Sequence, residues 1–268
     1  MGDRSVTASA AGPARREGPG ILSVQHAVRV LRTFTAAEPL LGVNEIARRM
    51  GMHKSSISRI LYTLEQDHLV ERDGATGFFR LGPGLIALAA PILAGLNVVE
   101  VARTYLEELA MACGETVTLG LWTGSEAVNF EQVLGPGAIK HIALPGGQNP
   151  AHCTATGKVF LAALPESDVE RILAQPLKRY TEHTILSRSR LMDEISAVRH
   201  LGYAVNDAEL QPDVVAIAAP VRNLRGEVVA AVAASMPRYR FTPERRSELF
   251  RTVTDGALKM SRRLGYSE

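Results

Sequence analysis

Val43-Asn44-Glu45-Ile46-Ala47-Arg48-Arg49-Met50-Gly51-Met52-His53-Lys54-Ser55-Ser56-Ile57-Ser58-Arg59-Ile60-Leu61-Tyr62-Thr63-Leu64 is the stretch on which the reading turns. Val43, Ile46, Ala47 and Met50 recur at i, i+3, i+4 and i+7, and Ile57, Ile60, Leu61 and Leu64 repeat that pattern, so the spacing predicts two short amphipathic helices. Gly51 stops the first, because glycine reaches the left-handed conformation that ends a helix; the second starts near His53 or Lys54. Two such helices joined by a glycine-containing turn of about three residues make a helix-turn-helix candidate. With the apolar positions turned inward, Ser55, Ser58, Arg59, Tyr62 and Thr63 face out, with Lys54 at the start. Short hydroxyls and cations suit base edges and phosphate oxygens. From Val43 to Leu61, Arg48, Arg49, Lys54 and Arg59 stand against Glu45 alone, a local charge of about +3 that would draw DNA phosphates.

Outward from this stretch, Ser23 reads as an N-cap, and Val24, Ala27, Val28, Leu31 and Phe34 follow at helical spacing, with the helix ending near Ala36. Beyond it, Leu69-Val70-Glu71-Arg72, Asp73-Gly74 and Gly77-Phe78-Phe79-Arg80-Leu81 read as strand, turn and strand, a hairpin wing. Charge alone does not separate a DNA-reading face from an amphipathic helix pair whose solvated side is basic. The order helix, helix, glycine turn, helix, hairpin moves the balance towards DNA. Residues 1–20, rich in Gly, Ala, Pro and Arg, bury too little to offset chain entropy and read as a disordered arm.

The 268 residues leave room for a second domain, and 46% hydrophobic with 22% charged residues is an ordinary globular composition. Leu85–Leu96, the most apolar run, is broken by Pro91 and Gly95 and falls short of the roughly 20 residues of a bilayer span; it reads as a linking helix buried against a partner. Helices are expected at Val101–Met111, Thr154–Leu164, Asp168–Leu173, Arg190–His200 and from Pro243 to about Leu264. Strands are expected at Thr116–Trp122, Ala127–Val133, Val214–Val221 and Glu227–Ser235, the first two about a Gly124-Ser125 turn and the last two about Asn223–Gly226. Gly135–Pro150 reads as a Gly/Pro-rich loop. Cys113 and Cys153 are too few for a disulfide framework, and Arg15-Arg16 has no apolar region behind it to make an export signal, so a reducing cytoplasm is expected.

Ser23-Val24-Gln25-His26-Ala27-Val28-Arg29-Val30-Leu31, the helix-turn-helix stretch and Phe79-Arg80-Leu81-Gly82-Pro83 together resemble the IclR family of bacterial transcriptional regulators. So do Pro150-Ala151-His152-Cys153-Thr154-Ala155-Thr156-Gly157-Lys158, Leu201-Gly202-Tyr203-Ala204-Val205-Asn206-Asp207-Ala208-Glu209-Leu210 and Ile217-Ala218-Ala219-Pro220-Val221, in order and correctly spaced over about residues 21–262. The resemblance implies an α+β chain: a winged helix-turn-helix over 21–83, a linking helix over 84–100 and a GAF-like mixed α/β effector-binding domain over 101–264. It implies a homodimer or homotetramer on (pseudo)palindromic double-stranded operator DNA, acting as a repressor released or modulated by a small organic acid or related metabolite, with no cofactor and no metal. The DNA-binding residues it implies are Arg48, Lys54, Ser55, Ser56, Ser58, Arg59, Tyr62 and Arg72. His53 departs from the family, which often has proline there, and adds a titratable donor near DNA.

For the effector, the family's pattern places Ala155 and Thr156 at a helix start whose free N–H groups and positive dipole end seat a carboxylate. Asn206 stands where an acidic or amide side chain is common, Ala216 where cysteine or serine is frequent, and Ala233 and Ser235 where two serines are common. Two polar family positions are thus alanine, which points away from a glyoxylate- or pyruvate-like ligand and towards a larger or less polar one. Ordinary cap, turn and strand roles stay open for Thr156, Asn206 and Ser235. His141, His152 and Cys153 are expected to be structural, since no C-x-x-C or H-E-x-x-H pattern accompanies them. Arg238, Arg240, Arg245 and Arg246 read as a solvated face or subunit-contact charge. Two other classes stay in view: a hydrolase using Cys153 with a DNA-binding appendage, against which stands the lack of a nucleophile elbow, and a ligand-blind architectural DNA binder, which leaves the second domain unexplained.

Overall fold

The computed structural model describes residues 21–267 other than 36, 96 and 139. The arm expected over 1–20 lies outside the described residues, and the first helix ends at Leu31, short of the end expected near Ala36. The chain divides between Leu88 and Ala89 into two compact units.

The first unit holds α1 (Leu22–Leu31), α2 (Val43–Met50), α3 (Lys54–Gln66), β1 (Val70–Arg72) and β2 (Phe79–Leu81). β1 and β2 pair antiparallel, Val70 opposite Leu81, and Leu41 joins them by exchanging backbone hydrogen bonds with Phe79 at 2.9 Å. Val30, Phe34, Ile46, Met50, Ile57, Leu61, Leu64, Val70 and Phe79 form one core, so the apolar faces expected of α2 and α3 do point inward. α1 differs from its sequence reading. Its N-cap is Ile21 rather than Ser23, Val24 and Val28 are exposed, and Val30 is fully buried. Ala27, Val30, Leu31 and Phe34 also fit a helical period, and a helix apolar on neighbouring stripes does not reveal by spacing which stripe is covered.

α4 (Gly84–Gly95) follows, then α5 (Asn97–Cys113), which starts earlier than expected and takes in the end of the segment read as linker. Within the chain Ile86 and Leu88 are 70% and 64% exposed.

The second unit is a six-stranded antiparallel sheet in the order β5-β4-β3-β8-β7-β6. Its strands are β3 (Thr116–Trp122), β4 (Glu126–Val133), β5 (Gln148–Pro150), β6 (Ala204–Asp207), β7 (Val214–Arg222) and β8 (Val228–Pro237). β5 and β6 are absent from the sequence reading: both are short, and their Asn and Gln residues carry little strand signal. The helices are α6 (Ala155–Ala163), α7 (Glu166–Leu173), α8 (Arg188–Leu201) and α9 (Pro243–Arg263). Strand side chains alternate between faces. Val117, Leu119, Val215, Ile217, Val232, Ala234 and Met236 go to one face, where α5 and α9 cover them. Ala218, Ala231 and Ala233 go to the other, against α6 and α8.

Of the four arginines read as a solvated face or subunit-contact charge, Arg238 and Arg246 are exposed, whereas Arg240 and Arg245 are ties. Arg240 and Arg245 hold buried Glu115 at 2.9 and 3.1 Å, pinning the start of α9 to the start of β3. Arg238 pairs with Asp207 at 2.9 Å, and Arg246 lies over the Phe241 ring. Sequence spacing does not show the correction because Glu115 is more than a hundred residues away.

Candidate functional site

In the first unit, Gly51 ends α2 at φ 63°, the left-handed conformation that lets the chain turn directly into α3. Lys54, Ser55, Ser58, Arg59, Tyr62 and Thr63 are exposed on α3, and Ser56 is half-buried. Among the described residues Lys54 and Arg59 have no ion-pair partner, so their charges face outward uncompensated. The cations of α2 are different. Arg48 grips both oxygens of Glu45 at 2.9 and 2.7 Å, while Arg49 reaches Glu45 at 2.6 Å and Glu38 at 2.8 Å. Hydrogen bonds from Arg48 and Arg49 hold the Glu45 carboxyl at about 2. Counting Glu38, four cations face two carboxylates, and the surplus sits on α3 rather than α2. Exposed Arg72 on the wing lies 5.8 Å from the Phe79 ring centre. His53 is the exposed N-cap of α3 and makes no side-chain cap bond.

In the second unit, Thr154 caps α6: its hydroxyl donates to Pro150 O at 2.8 Å and accepts from Gly157 N at 3.1 Å. A Cβ on Gly157 would lie 2.5 Å from Ala151 Cα, so glycine lets the first turn of α6 start against that strand end. The N–H groups of Ala155 and Thr156 have no backbone or side-chain acceptor among the described residues. They open onto a cavity of about 50 Å³, room for a few water molecules. Thr118, Ala216, Ala233 and Ser235 form its floor, side by side because Thr118 pairs with Ala233 and Ala216 with Ser235. Asn206 stands opposite Ala216, its Oδ1 accepting from Glu209 N at 2.8 Å. Asn129, which accepts from Asn149 at 2.7 Å, closes one side. His141 projects from the β4–β5 connection, and its Nδ1 lies 3.0 Å from Ser235 Oγ. All six effector positions read from the sequence line this one cavity.

Residues 23–74 match the IclR helix-turn-helix domain, and residues 90–262 match the bacterial transcriptional regulator IclR C-terminal domain. The chain belongs to the IclR family of bacterial transcriptional regulators. It is 36% identical over 222 residues to the HTH-type transcriptional regulator Rv1719 of Mycobacterium tuberculosis, covering 83% of this chain and 85% of that one. The crystal structure of an IclR transcriptional regulator from Alicyclobacillus acidocaldarius superposes with a TM-score of 0.75 at 30% identity, covering 91% and 99% of the two chains. An IclR homologue of Microbacterium hydrocarbonoxydans, crystallised with 4-hydroxybenzoate, gives a TM-score of 0.74 at 25% identity over 90% and 99%.

As an IclR regulator the chain has a DNA-binding helix-turn-helix and a C-terminal effector domain, and among the described residues no helix is long and apolar enough to cross a membrane. The sequence reading missed Thr118, Asn129, His141, Asn149 and Gln211 at the cavity. Thr118 was findable, as the polar residue between Val117 and Leu119 in the middle of a largely apolar strand. The others carry no signal, since they sit on a loop, on short β5, on β4, whose alternation is weak, and on the turn after β6. Burial, and secondarily the charge of Glu209, pushes the Cys153 thiol up to about 12, so no thiolate forms near neutral pH. His152 Nε2 is taken by Lys178 O at 3.0 Å. Behind the cavity Lys158 is fully buried and bonds Glu209 at 2.6 Å, Glu194 at 2.5 Å and Val205 O at 3.2 Å.

Proposed function

We propose that the chain is a repressor that binds a (pseudo)palindromic double-stranded operator as a homodimer or homotetramer and is released or modulated by a small organic acid or related metabolite. Lys54, Ser55, Ser56, Ser58, Arg59 and Tyr62 on α3 contact DNA, with Arg48 and Arg72 at the margins. Ala155, Thr156, Asn206, Ala216, Ala233 and Ser235 hold the acid. Residues 21–83 act as the reading head, 84–100 as the link and 101–264 as the sensor; the protein works in the cytoplasm and is not an enzyme. The observation that carries this reading is the convergence of six positions, drawn from α6, β6, β7 and β8, on one cavity that begins at two free N–H groups of α6. Such a helix start favours a carboxylate, and 4-hydroxybenzoate, with which a related protein was crystallised, is itself a carboxylic acid.

The test is operator affinity measured with and without a panel of organic acids, at several salt concentrations. Affinity should fall steeply with salt, as Lys and Arg contacts release counterions, and one class of acid should weaken it. That acid must prefer one state of the protein over another to act at all. Ala233→Phe, which enlarges the cavity floor, should abolish the response and leave acid-free DNA binding close to wild type. Affinity flat between low and physiological salt would refute the DNA reading; a full acid response in Ala233→Phe would refute the placement of the site.

A further inference from the structure

The cavity contains one ionisable side chain among the described residues that line it, and it is His141. No Lys, Arg, Asp or Glu shares the lining. Of the charged residues close in sequence to its walls, Lys158 and Glu209 are spent on each other, at 2.6 Å, and on Glu194, Asp207 is paired with Arg238, and Lys140 beside His141 and Asp213 beside Val214 are exposed to water. Burial lowers the pKa of the imidazole, and the hydrogen-bonding Gln211 side chain pulls the other way. A carboxylate entering this space leaves water, and two N–H groups are a partial substitute for its hydration. Two further donors wait there. The hydroxyls of Thr118 and Thr156 belong to residues 4% and 5% exposed, line the cavity, and have no hydrogen-bond partner among the described residues. What the set lacks is a countercharge, and the imidazole alone can supply one.

We propose that His141 is the specificity-determining residue of this site: its imidazole leaves Ser235, takes up one proton and donates to the carboxylate of a small monocarboxylic acid seated on Ala155 and Thr156. This rests on the reading of the cavity as the effector site and adds what that site selects. The 50 Å³ of free space grows as the ring swings away on its loop, so size as well as charge is set by this side chain. The proton comes from solvent and resides on the ring in the complex. Because burial holds the ring neutral beforehand, the acid binds more tightly as pH falls through the ring's pKa in the complex. Between that value and the lower one of the free protein, affinity drops about tenfold for each pH unit gained. Dicarboxylates are refused, since a second charge finds no partner in the lining.

The experiment is calorimetric titration of the full chain with pyruvate, benzoate and succinate near neutral pH, in two buffers of different ionisation enthalpy. Pyruvate or benzoate should bind with uptake approaching one proton per site, and succinate at least tenfold more weakly. His141→Gln keeps a donor but cannot charge; it should melt at the wild-type temperature, bind the same acid about tenfold more weakly and take up no proton. Ser235→Ala removes the ring's present partner and should retain the proton uptake. Binding without proton uptake, uptake that survives His141→Gln, or no binding of either monocarboxylate at about 10 mM, the affinity scale of weak ligands, overturns the proposal. If these acids bind as described but leave operator affinity unchanged, the regulatory reading fails and this one stands.

Discussion

The α2–α3 surface and the cavity at the start of α6 do their chemistry in opposite ways. The first is convex and comes from one continuous stretch, with its working side chains on the outside of a single helix. The second is concave and assembled from β3, β4, β5, β6, β7, β8, the β4–β5 connection and α6. On the surface, charge is plentiful and water screens it, so each cation contributes separately and modestly. In the cavity charge is scarce and each polar group is counted, because an unpartnered one is costly. A substitution on α3 should therefore weaken binding without harming the fold, while one behind the cavity should do the reverse.

The largest effect should come from Lys158→Met. Its Nζ satisfies Glu209 and Glu194 in a fully buried position, and removing one partner of a buried ion pair typically costs about 3–5 kcal/mol. Glu209 already has one oxygen, Oε2, buried without a partner, so Lys158 is what keeps it tolerable. Burial raises the Glu209 carboxyl pKa and Lys158 opposes it. Without Lys158 the rise is larger, the native state holds that proton more firmly than the unfolded chain, and the deficit should widen as pH rises. Urea unfolding of Lys158→Met at acid and neutral pH checks the sign. The double variant Lys158→Met with Glu209→Gln should recover much of the loss; if it does not, the pair is not the cause.

That residue also marks the limit of what spacing conveys. The helix-turn-helix was legible because helical period, glycine stop and charge all lie within one stretch. β7 and β8 were legible as strands because each is a Val/Ala-rich run set about the Asn223–Gly226 turn, although β8, buried on both faces, shows no alternation from which to tell its faces apart. Lys158, by contrast, falls mid-helix beside Gly157 and reads like any surface lysine until Glu194 and Glu209 are brought to it from 36 and 51 residues away. His141 has the same history: a loop histidine until Ser235, 94 residues on, lies against it. The six effector positions came from family resemblance, not from period, which is why the alanines among them pointed to a larger space than the structure has.

A middle-sized effect separates the convex site from the rest of the surface. Arg59→Ala should weaken binding to a specific duplex by about 1–3 kcal/mol if the guanidinium reads a base edge, with urea stability within about 0.5 kcal/mol of wild type, as for an ordinary surface substitution. Arg225→Ala, in the turn between β7 and β8 where the side chain pairs with Glu227, should leave DNA affinity unchanged. Equal losses for the two would mean that only overall charge matters and that α3 is not the reading element.

The smallest effect is the sharpest test, because it divides two arginines that the sequence counts alike. Arg48 lies in the last turn of α2 on the same basic stretch as Arg59, yet both oxygens of Glu45 hold its guanidinium. To contact a phosphate it must either leave that carboxylate or carry it along, and in each case much of the attraction is cancelled. Arg48→Ala should therefore cost DNA binding less than about 1 kcal/mol, in the range of exposed ion pairs, and should shallow the dependence on salt less than Arg59→Ala does. Glu45→Gln is the complementary variant: it frees Arg48 while Arg49 keeps Glu38, so DNA affinity should rise slightly and become more salt-dependent. Its effect on folding has a fixed sign. The Glu45 carboxyl is depressed to about 2 from 4.5, so its small contribution is present above 4.5 and lost as pH falls towards 2, and Glu45→Gln should flatten that part of the acid unfolding curve. Should Arg48→Ala prove as damaging as Arg59→Ala, the Glu45 clamp opens on DNA, and α2 belongs to the reading surface together with α3.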